Sequence, residues 1–413
     1  MSEVQQNDLD SAAMSGTDSD VVIVGAGVIG LAIGIALLEH KPGLNVMVLE
    51  KESTIGRHAS GRNSGVLHAG FYYSPDSLKA KFCRDGNFEL RDLCRRHGIP
   101  VHEIGKVVVA RDAEEDTRLE QLASRGQSNG VDLALLPAEQ LPNYEPNAVT
   151  HQRFLWSPNT AISDSDLVIQ ALLTEFQAKG GRLITSARVE MQESNGEVSV
   201  AGHPSKLVIN AAGAQSDRLA RKLGLAKQYA MLPFMGIYRA VPKVKLPLAR
   251  LVYPVPHPIN PFLGVHFTLT TSGQVKIGPT AIPILGREQY GMLTGWSAAD
   301  IGQAALAATA LIKGEAHSIL GIAKSELPRL IPSLLVKEAA KLVPAAAGIR
   351  GWQRKPPGIR AQLVNRNSGE LVQDFLVEEF QNSVHVLNAV SPGWTSALPF
   401  GRWVVENKLL AML

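Results

Sequence analysis

The sequence predicts an α/β fold with a Rossmann-like nucleotide-binding domain, discontinuous along the chain, and a second α+β domain on a mostly antiparallel sheet. A glycine-rich turn joins an apolar strand to an apolar helix within residues 20–39. Two later segments, 206–217 and 383–397, repeat the order strand, glycine, helix. Short strands with alternating or aromatic-rich character in the middle of the chain, 231–278, predict the antiparallel sheet.

The first strand leads into a dinucleotide-binding motif. Residues 21–24 are all β-branched, as in a buried parallel strand, and Gly25, Gly27 and Gly30 follow with GxGxxG spacing. These glycines permit a tight bend, the approach of the backbone to a pyrophosphate, and close packing of helix on strand. The helix N-terminus offers free N–H groups and a partial positive charge to phosphate. A glycine-rich turn that binds no nucleotide is the alternative.

Glu50 adds context to this motif. It ends the second predicted strand, 45–49, and stands 20 residues after Gly30, where an acid binds the ribose hydroxyls of a dinucleotide. An acid at this position favours an unphosphorylated ribose over NADP. It does not distinguish NAD from FAD.

A long loop over residues 51–73 is rich in Gly, Ser and Asn and shows no hydrophobic period. Because structureless loops of this length are uncommon, we predict that its main chain passes along an extended ligand. An ordinary flexible loop is the alternative.

One sheet is predicted to collect strands from the beginning, middle and end of the chain. Residues 206–217 and 383–397 each place a strand before small residues and a helix, and 181–189 supply a further strand. The last helix is predicted over 396–410. Carboxyl ends of parallel strands meet at one edge of a sheet, so these segments converge on the first glycine turn.

The second domain is predicted from residues 231–241, 261–269 and 274–278 as strands and 297–343 as helices. The helices carry Ala, Leu and Ile at helical spacing. Core packing is favoured for them, with surface caps or membrane-lying helices as alternatives. The predicted division is a disordered tail (1–19), a nucleotide-binding domain (20–92, 157–228 and 350–413) and a substrate domain (93–156 and 229–349).

Composition excludes several classes of function. The chain has 413 residues, a net charge of +3 and 45% hydrophobic residues, and its basic residues form no cluster with aromatics, so no nucleic-acid partner is predicted. Its apolar runs are too short for a membrane span. The scattered His, Asp and Cys residues predict no metal site.

The cysteines and the N-terminal segment indicate a cytoplasmic location. Cys83 and Cys94 fall on one predicted helix, 77–97, and lie about 16 Å apart along it, which is too far for a disulfide. The polar, acidic residues 1–19 lack the features of a signal peptide. Peripheral contact with the inner face of the cell membrane stays an open alternative.

Longer motifs carry a family resemblance. The first turn with Glu50-Lys51, the run Gly61-Arg-Asn-Ser-Gly-Val-Leu-His-Ala-Gly70, Leu251-Val-Tyr-Pro-Val-Pro256 and Pro261-Phe-Leu-Gly-Val-His-Phe-Thr268 resemble the D-amino-acid-oxidase-like FAD-dependent oxidoreductases. Within these, the chain is most similar to the L-2-hydroxyglutarate dehydrogenase/oxidase group, from residue 21 to the C-terminus. The resemblance implies oxidation of an L-2-hydroxy acid, foremost L-2-hydroxyglutarate, with FAD as cofactor. It implies oxygen, a quinone or a carrier protein as electron acceptor.

Three segments depart from the group's usual pattern. Arg62 stands where a His is usual, and Phe234-Met-Gly-Ile-Tyr238 lacks an Arg and an acid at its second and fourth positions. Gly286-Arg-Glu-Gln-Tyr290 replaces a Lys-Arg-Glu-Gly-Tyr-like run. A substrate with two carboxylates needs two cationic contacts, so Met235 and Ile237 put the exact substrate in doubt.

The chemistry implied by the resemblance needs a base and a carboxylate clamp. A histidine titrates near neutral pH, and His68 in the long loop and His266 in the FLGVHFT motif are the candidate bases. Arg360 is the candidate clamp, since a guanidinium binds a carboxylate bidentately. A structural hydrogen bond or ion pair is the alternative for each. Further substrate-binding candidates are Tyr72, Tyr253 and Arg62.

FAD is favoured over NAD because the loop and the two later glycine units supply contacts that NAD does not need. The turn 391–395 precedes the last helix, where its N-terminus can stabilise negative charge on a reduced flavin. The predicted FAD contacts are Gly25, Gly27, Val28, Ile29, Gly30, Glu50, Lys51, Ser60, Asn63, Ser64, Gly65, Val66, Val189, Ala212, Gly213, Pro392, Gly393, Trp394 and Thr395.

Two other functions remain compatible with the sequence. The first is an amino-acid or amine oxidase on the same fold. The second is a flavin-binding electron-transfer or assembly protein without a small substrate.

Overall fold

The computed structural model describes residues 19–256, 262–291, 294–314, 319–389 and 391–413. Except for Ser19, the predicted disordered tail lies outside the described residues. So does the first residue of the predicted strand 261–269.

The secondary structure alternates strands and helices over the first half of the chain. The strands are β1 (Ser19–Val24), β2 (Val46–Leu49), β3 (Val66–Leu67), β4 (Lys106–Val109), β5 (Ala134–Pro137), β6 (Arg153–Ser157), β7 (Ala161–Ile162), β8 (Arg182–Ile184), β9 (Met191–Ser194), β10 (Glu197–Val200), β11 (Ser205–Asn210), β12 (Tyr229–Gly236), β13 (Arg239–Pro242), β14 (Leu251–Pro254), β15 (His266–Leu269), β16 (Gln274–Gly278), β17 (Ile282–Pro283), β18 (Gln353–Arg354), β19 (Gly358–Asn365), β20 (Glu370–Leu371), β21 (Leu376–Phe380) and β22 (Ser383–Asn388). The α-helices are α1 (Val28–His40), α2 (Leu78–Arg96), α3 (Ala113–Ser128), α4 (Leu141–Tyr144), α5 (Ser165–Ala178), α6 (Ser216–Lys222), α7 (Ala298–Lys313), α8 (Ile319–Glu326), α9 (Pro332–Ala340) and α10 (Ala397–Val404).

A six-stranded sheet collects strands from three parts of the chain, in the order β21-β22-β11-β1-β2-β8. The pairs β1–β2, β1–β11, β2–β8 and β11–β22 are parallel, and only the edge pair β21–β22 is antiparallel. The prediction that one sheet is assembled from the beginning, middle and end of the chain is confirmed. Its central strand β1 is buried on both faces, which explains its unbroken run of β-branched residues.

The helix after β1 is buried among other helices. Ten of the 13 residues of α1 are buried, and α1 packs against α10 and α5. An apolar helix without a polar face is expected where helices surround it.

The second half of the fold is built on antiparallel sheets. An eight-stranded sheet has the order β18-β13-β16-β15-β14-β4-β6-β5, with β14–β4 as its parallel pair, and a four-stranded sheet has the order β17-β12-β19-β20. The mostly antiparallel sheet is therefore confirmed, as are the Cys83–Cys94 helix (α2) and helices within 297–343 (α7 to α9). Both cysteines are buried and unpaired. Among the described residues, no helix is long and apolar enough to cross a membrane.

The extents of three predicted elements were wrong. The strand predicted over 231–241 is two strands in different sheets, because the Ile237 N–H leaves the ladder and donates to Thr280 Oγ1 at 3.0 Å. The strand predicted over 181–189 ends at Ile184, two residues before Ser186, whose φ is +56°. The last helix is α-helical only to Val404 and continues as a π-turn.

Candidate active site

A cavity of about 470 Å³ lies at the carboxyl ends of β1, β2, β11 and β22 and reaches to β12, β14, β15 and β19. In an open parallel sheet this edge is the usual ligand-binding position. The cavity therefore connects the six-stranded sheet with the antiparallel sheets.

Close backbone contacts explain the first glycines. Gly25 has φ +109°, and a Cβ on it would lie 2.5 Å from Ala211 O. A Cβ on Gly30 would lie 2.0 Å from Gly25 O. Only glycine fits at either position, so the turn stays narrow. Gly25 lines the cavity, whereas Gly30 does not and instead allows the helix to pack on the turn.

Glu50 closes β2 at the cavity wall. Its two carboxylate oxygens accept hydrogen bonds from the N–H groups of Ala26 and Glu52, each at 3.0 Å. A carboxylate has about four acceptor positions. The backbone thus orients Glu50 and leaves acceptor capacity toward the cavity.

The long loop follows the cavity as predicted, with one exception. Ser60 Oγ accepts from the Val28 N–H at 3.1 Å, and Asn63 and Ser64 also line the wall. Gly65 does not line it. Gly65 has φ +73°, and its carbonyl accepts from the Ser163 N–H at 2.8 Å, so it is a turn residue.

The turn 391–395 holds the end of the long loop through hydrogen bonds of Thr395. Thr395 Oγ1 accepts from the His68 N–H at 3.3 Å and donates to Val66 O at 3.2 Å. Gly86, inside α2, allows this turn to approach, since a Cβ there would lie 2.1 Å from Thr395 O. Gly86 was not predicted as a site residue, although a glycine in a helix interior is a signal of close packing.

All other predicted FAD contacts border the same cavity. These are Gly27, Ile29, Lys51, Val66, Val189, Ala212, Gly213, Pro392, Gly393 and Trp394.

Arg360 is a half-buried cation at the cavity wall. It lies on β19 opposite Phe234, and its guanidinium sits 5.0 Å from the ring centre of Phe262. It makes no ion pair or hydrogen bond with a residue that the structure describes. Burial lowers its pKa, although the nearby hydroxyls of Tyr73 and Tyr238 act in the opposite direction. Such a guanidinium at a cavity wall can bind a carboxylate.

His266 is held as a neutral imidazole. Its Nδ1 donates to Gly264 O at 2.9 Å, an assignment that leaves Nε2 with a free lone pair. Burial lowers its pKa to about 3. Its ring stacks on Tyr253, with centres 3.8 Å apart.

His68 lies at the junction of the two halves of the cavity. Its carbonyl accepts from Asn87 Nδ2 at 3.0 Å, and its Nδ1 is buried without a hydrogen-bond partner among the described residues. Burial holds its pKa well below the usual value, and the charges of Lys106 and Arg360 add to the effect. Both histidines are thus unprotonated near neutral pH.

The chain matches a known family over nearly its whole length. The family model for DAO, FAD dependent oxidoreductase, covers residues 20–407. L-2-hydroxyglutarate dehydrogenase of Escherichia coli is 34% identical over 399 residues, 94% of this chain and 92% of the relative. The mitochondrial L-2-hydroxyglutarate dehydrogenase of Homo sapiens is 33% identical and covers 96% of this chain and 90% of its own.

The chain belongs to the DAO family of FAD-dependent oxidoreductases.

Solved structures share the fold of this DAO-family chain. L-α-glycerophosphate oxidase of Mycoplasma pneumoniae with FAD bound has a TM-score of 0.74 at 24% identity, covering 95% of this chain and 94% of that one. Glycine oxidase of Geobacillus kaustophilus has a TM-score of 0.67 at 21% identity, covering 95% and 94%.

The cavity of this DAO-family enzyme fits FAD. The narrow turn brings the backbone of Gly25 and Gly27 to the cavity wall, where this motif holds a pyrophosphate, and Glu50 lines the cavity where the motif binds a ribose hydroxyl. At the other end, the buried Nε1 of Trp394 has no partner among the described residues and can donate to a ligand.

Two predicted substrate-binding residues have other contacts in the structure. Tyr72 does not line the cavity, because its ring packs on the ammonium of Lys106 at 4.6 Å. Arg62 borders the cavity, but its guanidinium stacks 4.1 Å from the ring centre of Tyr290 and donates to Arg57 O at 2.8 Å. It is therefore already engaged at the cavity mouth.

Met235 is not a lost substrate contact. On β12, Phe234 and Gly236 line the cavity, whereas Met235 and, just after the strand, Ile237 pack into an apolar cluster. The two departures from the family pattern thus lie on the far face of the strand.

Five polar side chains form a cluster at the cavity mouth, which we call the mouth cluster: Lys51, Glu52, His58, Glu288 and Tyr290. His58 contacts Glu52 and Tyr290, each at 2.9 Å, and Lys51 donates to Glu288 at 3.0 Å. Ligand atoms of Glu52, His58 and Glu288 lie within 4.8 Å of one another, a spacing that could hold a metal ion. The Lys51 ammonium already contacts these three side chains, so we assign no metal there.

Proposed function

We propose that this enzyme oxidises L-2-hydroxyglutarate to 2-oxoglutarate. The observation that carries the proposal is Arg360, a half-buried guanidinium with no counter-ion among the described residues, beside two neutral histidines at the cavity wall. The names of the relatives support this choice of substrate.

We propose that Arg360 binds the carboxylate next to the reacting carbon. His68 accepts the hydroxyl proton. It lies close enough to Arg360 for that charge to lower its pKa, and its backbone N–H donates to Thr395, a predicted FAD contact. His266, with its tautomer fixed by Gly264, offers Nε2 as a hydrogen-bond acceptor that orients the substrate hydroxyl. Tyr253 supports the ring of His266 by stacking.

FAD, when bound, supplies the acceptor for the hydride from the reacting carbon. The substrate loses that hydride and its hydroxyl proton, and so becomes the 2-oxo acid. The chain's own part is to orient the substrate, to exclude water and to hold the proton on His68.

We further propose that the predicted FAD contacts that line the cavity, which are all of them except Gly30 and Gly65, hold the cofactor. The two-domain division with boundaries at residues 92, 156, 228 and 349 is supported by the strands of the six-stranded sheet, which all lie in its cofactor part. Strand β18 of the last segment pairs with β13, and β19 pairs with β12, so the two domains share sheets there.

An anaerobic substrate panel tests the function. We expect L-2-hydroxyglutarate to bleach the flavin absorbance of the purified holoenzyme, and Arg360→Lys to weaken the reaction at least tenfold because bidentate binding is lost. Bleaching by amino acids alone would instead establish an amino-acid or amine oxidase. No bleaching by any 2-hydroxy or amino acid would favour an electron-transfer or assembly protein.

We propose a cytoplasmic enzyme that contacts the membrane peripherally and passes its electrons to a quinone. Eight large apolar side chains between residues 285 and 334 are at least 38% exposed, among them Trp296, Ile312 and Ile331. Clusters of exposed apolar groups mark interaction surfaces.

Vesicle binding tests this location. The holoenzyme should sediment with phospholipid vesicles, and the double variant Ile312→Ser/Ile331→Ser should not. Val244→Ser, at an exposed site outside this stretch, is the matched control. Failure to sediment would leave oxygen or a carrier protein as the acceptor.

A further inference from the structure

Lys106 is a lysine enclosed by aromatic rings. It begins β4, between β14 and β6 in the middle of the eight-stranded sheet, and its exposure is 0%. Its Nζ has no hydrogen-bond or ion-pair partner among the described residues. The ring centres of Phe71, Tyr72 and Tyr253 lie 4.7, 4.6 and 4.6 Å from Nζ.

A buried cation without a counter-ion is costly, so its presence calls for a compensating interaction. Aromatic faces stabilise an ammonium, and more strongly when water is excluded. The three rings stabilise the positive charge of the Lys106 ammonium, but they supply no negative charge to neutralise it. Its field therefore extends beyond the rings.

One of the three rings connects Lys106 to the cavity wall. Tyr253 contacts Lys106 on one side and stacks on His266 at 3.8 Å on the other. Tyr253 and His266 both line the cavity beside Arg360. Lys106 thus lies directly behind the wall of the proposed substrate site.

The charges that act on this part of the wall are cationic. Lys106, Arg360 and Lys276 each lower the pKa of one or both histidines, and no carboxylate of the described residues is among the groups that shift either pKa. Glu326 also borders the cavity, but it accepts from the Ala281 N–H at 2.7 Å and pairs with Arg329.

We propose that Lys106 determines the preference of the substrate site for a substrate with two carboxylates. Arg360 binds one carboxylate directly, and the field of Lys106 favours the second negative charge through the Tyr253–His266 wall. This inference rests on the proposed function, because it concerns the same site. It assigns the second positive charge that a dianionic substrate needs to a residue that does not touch the substrate.

The experiment compares Lys106→Met with the unaltered holoenzyme on two substrates of similar length, L-2-hydroxyglutarate and L-2-hydroxyvalerate, which lacks the second carboxylate. We expect kcat/KM for the dianion to fall on the order of tenfold, as for one lost short-range charge interaction, while kcat/KM for the monoanion stays within about twofold. Lys81→Met, at an exposed position of α2, is the matched control.

Binding of the products gives a readout that is independent of turnover. The affinity for 2-oxoglutarate, followed by the perturbation of the flavin spectrum, should fall in Lys106→Met, and the affinity for 2-oxovalerate should not. Equal losses for both ligands, or no loss for either, would overturn the inference. Failure of both proteins to react with either hydroxy acid would instead contradict the proposed function.

The unaltered enzyme supplies a second test, which does not depend on the folding of a variant. The groups that face Lys106 are Cys83 of α2, Tyr72 of the loop, Tyr253 of β14, and His68 and His266 across the wall. Burial raises the pKa of the thiol and of both phenols and lowers that of both imidazoles, so all five are neutral near pH 7.

Lys106 itself titrates near this range, since burial lowers its pKa to about 7. The preference for the dianion should therefore decline as the pH rises above neutrality. Lys79 and Lys276, each with a pKa lowered to about 8, also lie close to the site. The decline of the dianion preference with pH should consequently be smaller in Lys106→Met than in the unaltered enzyme. An equal decline in both proteins would contradict the proposed role of Lys106.

Discussion

At the scale of single residues, burial sets the protonation of the proposed active site. His68 and His266 are kept neutral because a charged imidazole would lose its hydration without gaining a carboxylate partner. Arg360 stays charged under the same burial because its ordinary pKa is so high. The site therefore combines a carboxylate-binding cation with two proton acceptors.

Replacement of His68 by Asn should slow flavin reduction by about 10²- to 10⁴-fold, the usual contribution of a general base. His266→Asn should raise KM more than it lowers kcat, because it removes an orienting contact. Stopped-flow measurements at several substrate concentrations separate the two effects. If His266→Asn instead slowed flavin reduction and His68→Asn mainly raised KM, His266 would be the base and His68 the orienting residue.

The pH dependence follows from the lowered pKa values. A base must be unprotonated, and the pKa of His266 is about 3 while that of His68 is also far below 6.5. The acid limb of kcat/KM should therefore lie well below pH 6.5, the value for an ordinary histidine. A decline centred near pH 6.5 would show that neither imidazole is depressed in the working enzyme.

Lys106→Met should stabilise the protein, and by an amount that depends on pH. The pKa of Lys106 is about 7 in the folded chain against 10.5 in the unfolded chain, so the unfolded chain binds more protons between these values. The free energy of unfolding thus rises with pH across that window. The variant should gain on the order of 3–5 kcal/mol at pH 7 and much less near pH 10.

Thermal unfolding of the variant and the unaltered holoenzyme at pH 6.5 and 9.5 measures this difference. Lys81→Met should show none, because Lys81 is exposed. An equal gain at both pH values would mean that packing, rather than charge, is the cause.

At the scale of elements, the position of the proposed base depends on how closely α2 approaches the C-terminal turn. Asn87 and Cys83 of α2 bind the carbonyl of His68, and Thr395 binds its N–H. Gly86 allows this contact, since a Cβ there would lie 2.1 Å from Thr395 O. The helix and the turn thus hold the base between them.

Gly86→Ala should push the turn away, lower FAD occupancy and slow flavin reduction at least tenfold, the usual cost of about 1 Å of misplacement at a reacting centre. Gly302→Ala in α7 is the matched control, since nothing lies within 4 Å of its Cβ position. That helical replacement should add about 0.5–1 kcal/mol of stability. The ratio of flavin to protein absorbance measures FAD occupancy in both variants, and thermal unfolding measures their stability. Full activity of Gly86→Ala would contradict the proposed packing of α2 on the C-terminal turn.

At the scale of the whole molecule, the mouth cluster joins the loop after β2 to the segment after β17. Glu288 is its link: it accepts from Lys51 at 3.0 Å and from Gln215 at 2.7 Å. The contact closes over the cavity that we assign to FAD. It combines charges that are only partly exposed, so solvent screens it less than a surface pair.

Glu288→Gln should therefore release FAD faster, by roughly threefold to tenfold for a partly buried pair. Fluorescence of the released flavin measures the rate. Glu379→Gln, which breaks the exposed pair with Lys408, should leave it unchanged. Equal rates for all three proteins would show that the mouth cluster does not retain the cofactor.

Local patterns predicted much of the fold. The first strand–glycine–helix unit was recognisable because its glycines meet local requirements: Gly25 has a φ of +109°, and a Cβ on Gly30 would clash with Gly25 O. The break at Ile237 was not recognisable, since it depends on Thr280, which is remote in sequence. Tyr72 was misplaced for the same reason: an aromatic residue in a loop does not reveal whether it faces a ligand or a buried lysine.

The sequence by itself determined the nucleotide turn, the single sheet gathered from three segments, and the family, because these follow from residue spacing along the chain. Only the tertiary structure decided which charges act on the substrate site. It turned Met235 and Ile237 to the far face of β12, engaged Arg62 with Tyr290, and placed Lys106 behind Tyr253 and His266. Burial and electrostatic coupling depend on distances between strands that are remote in the sequence.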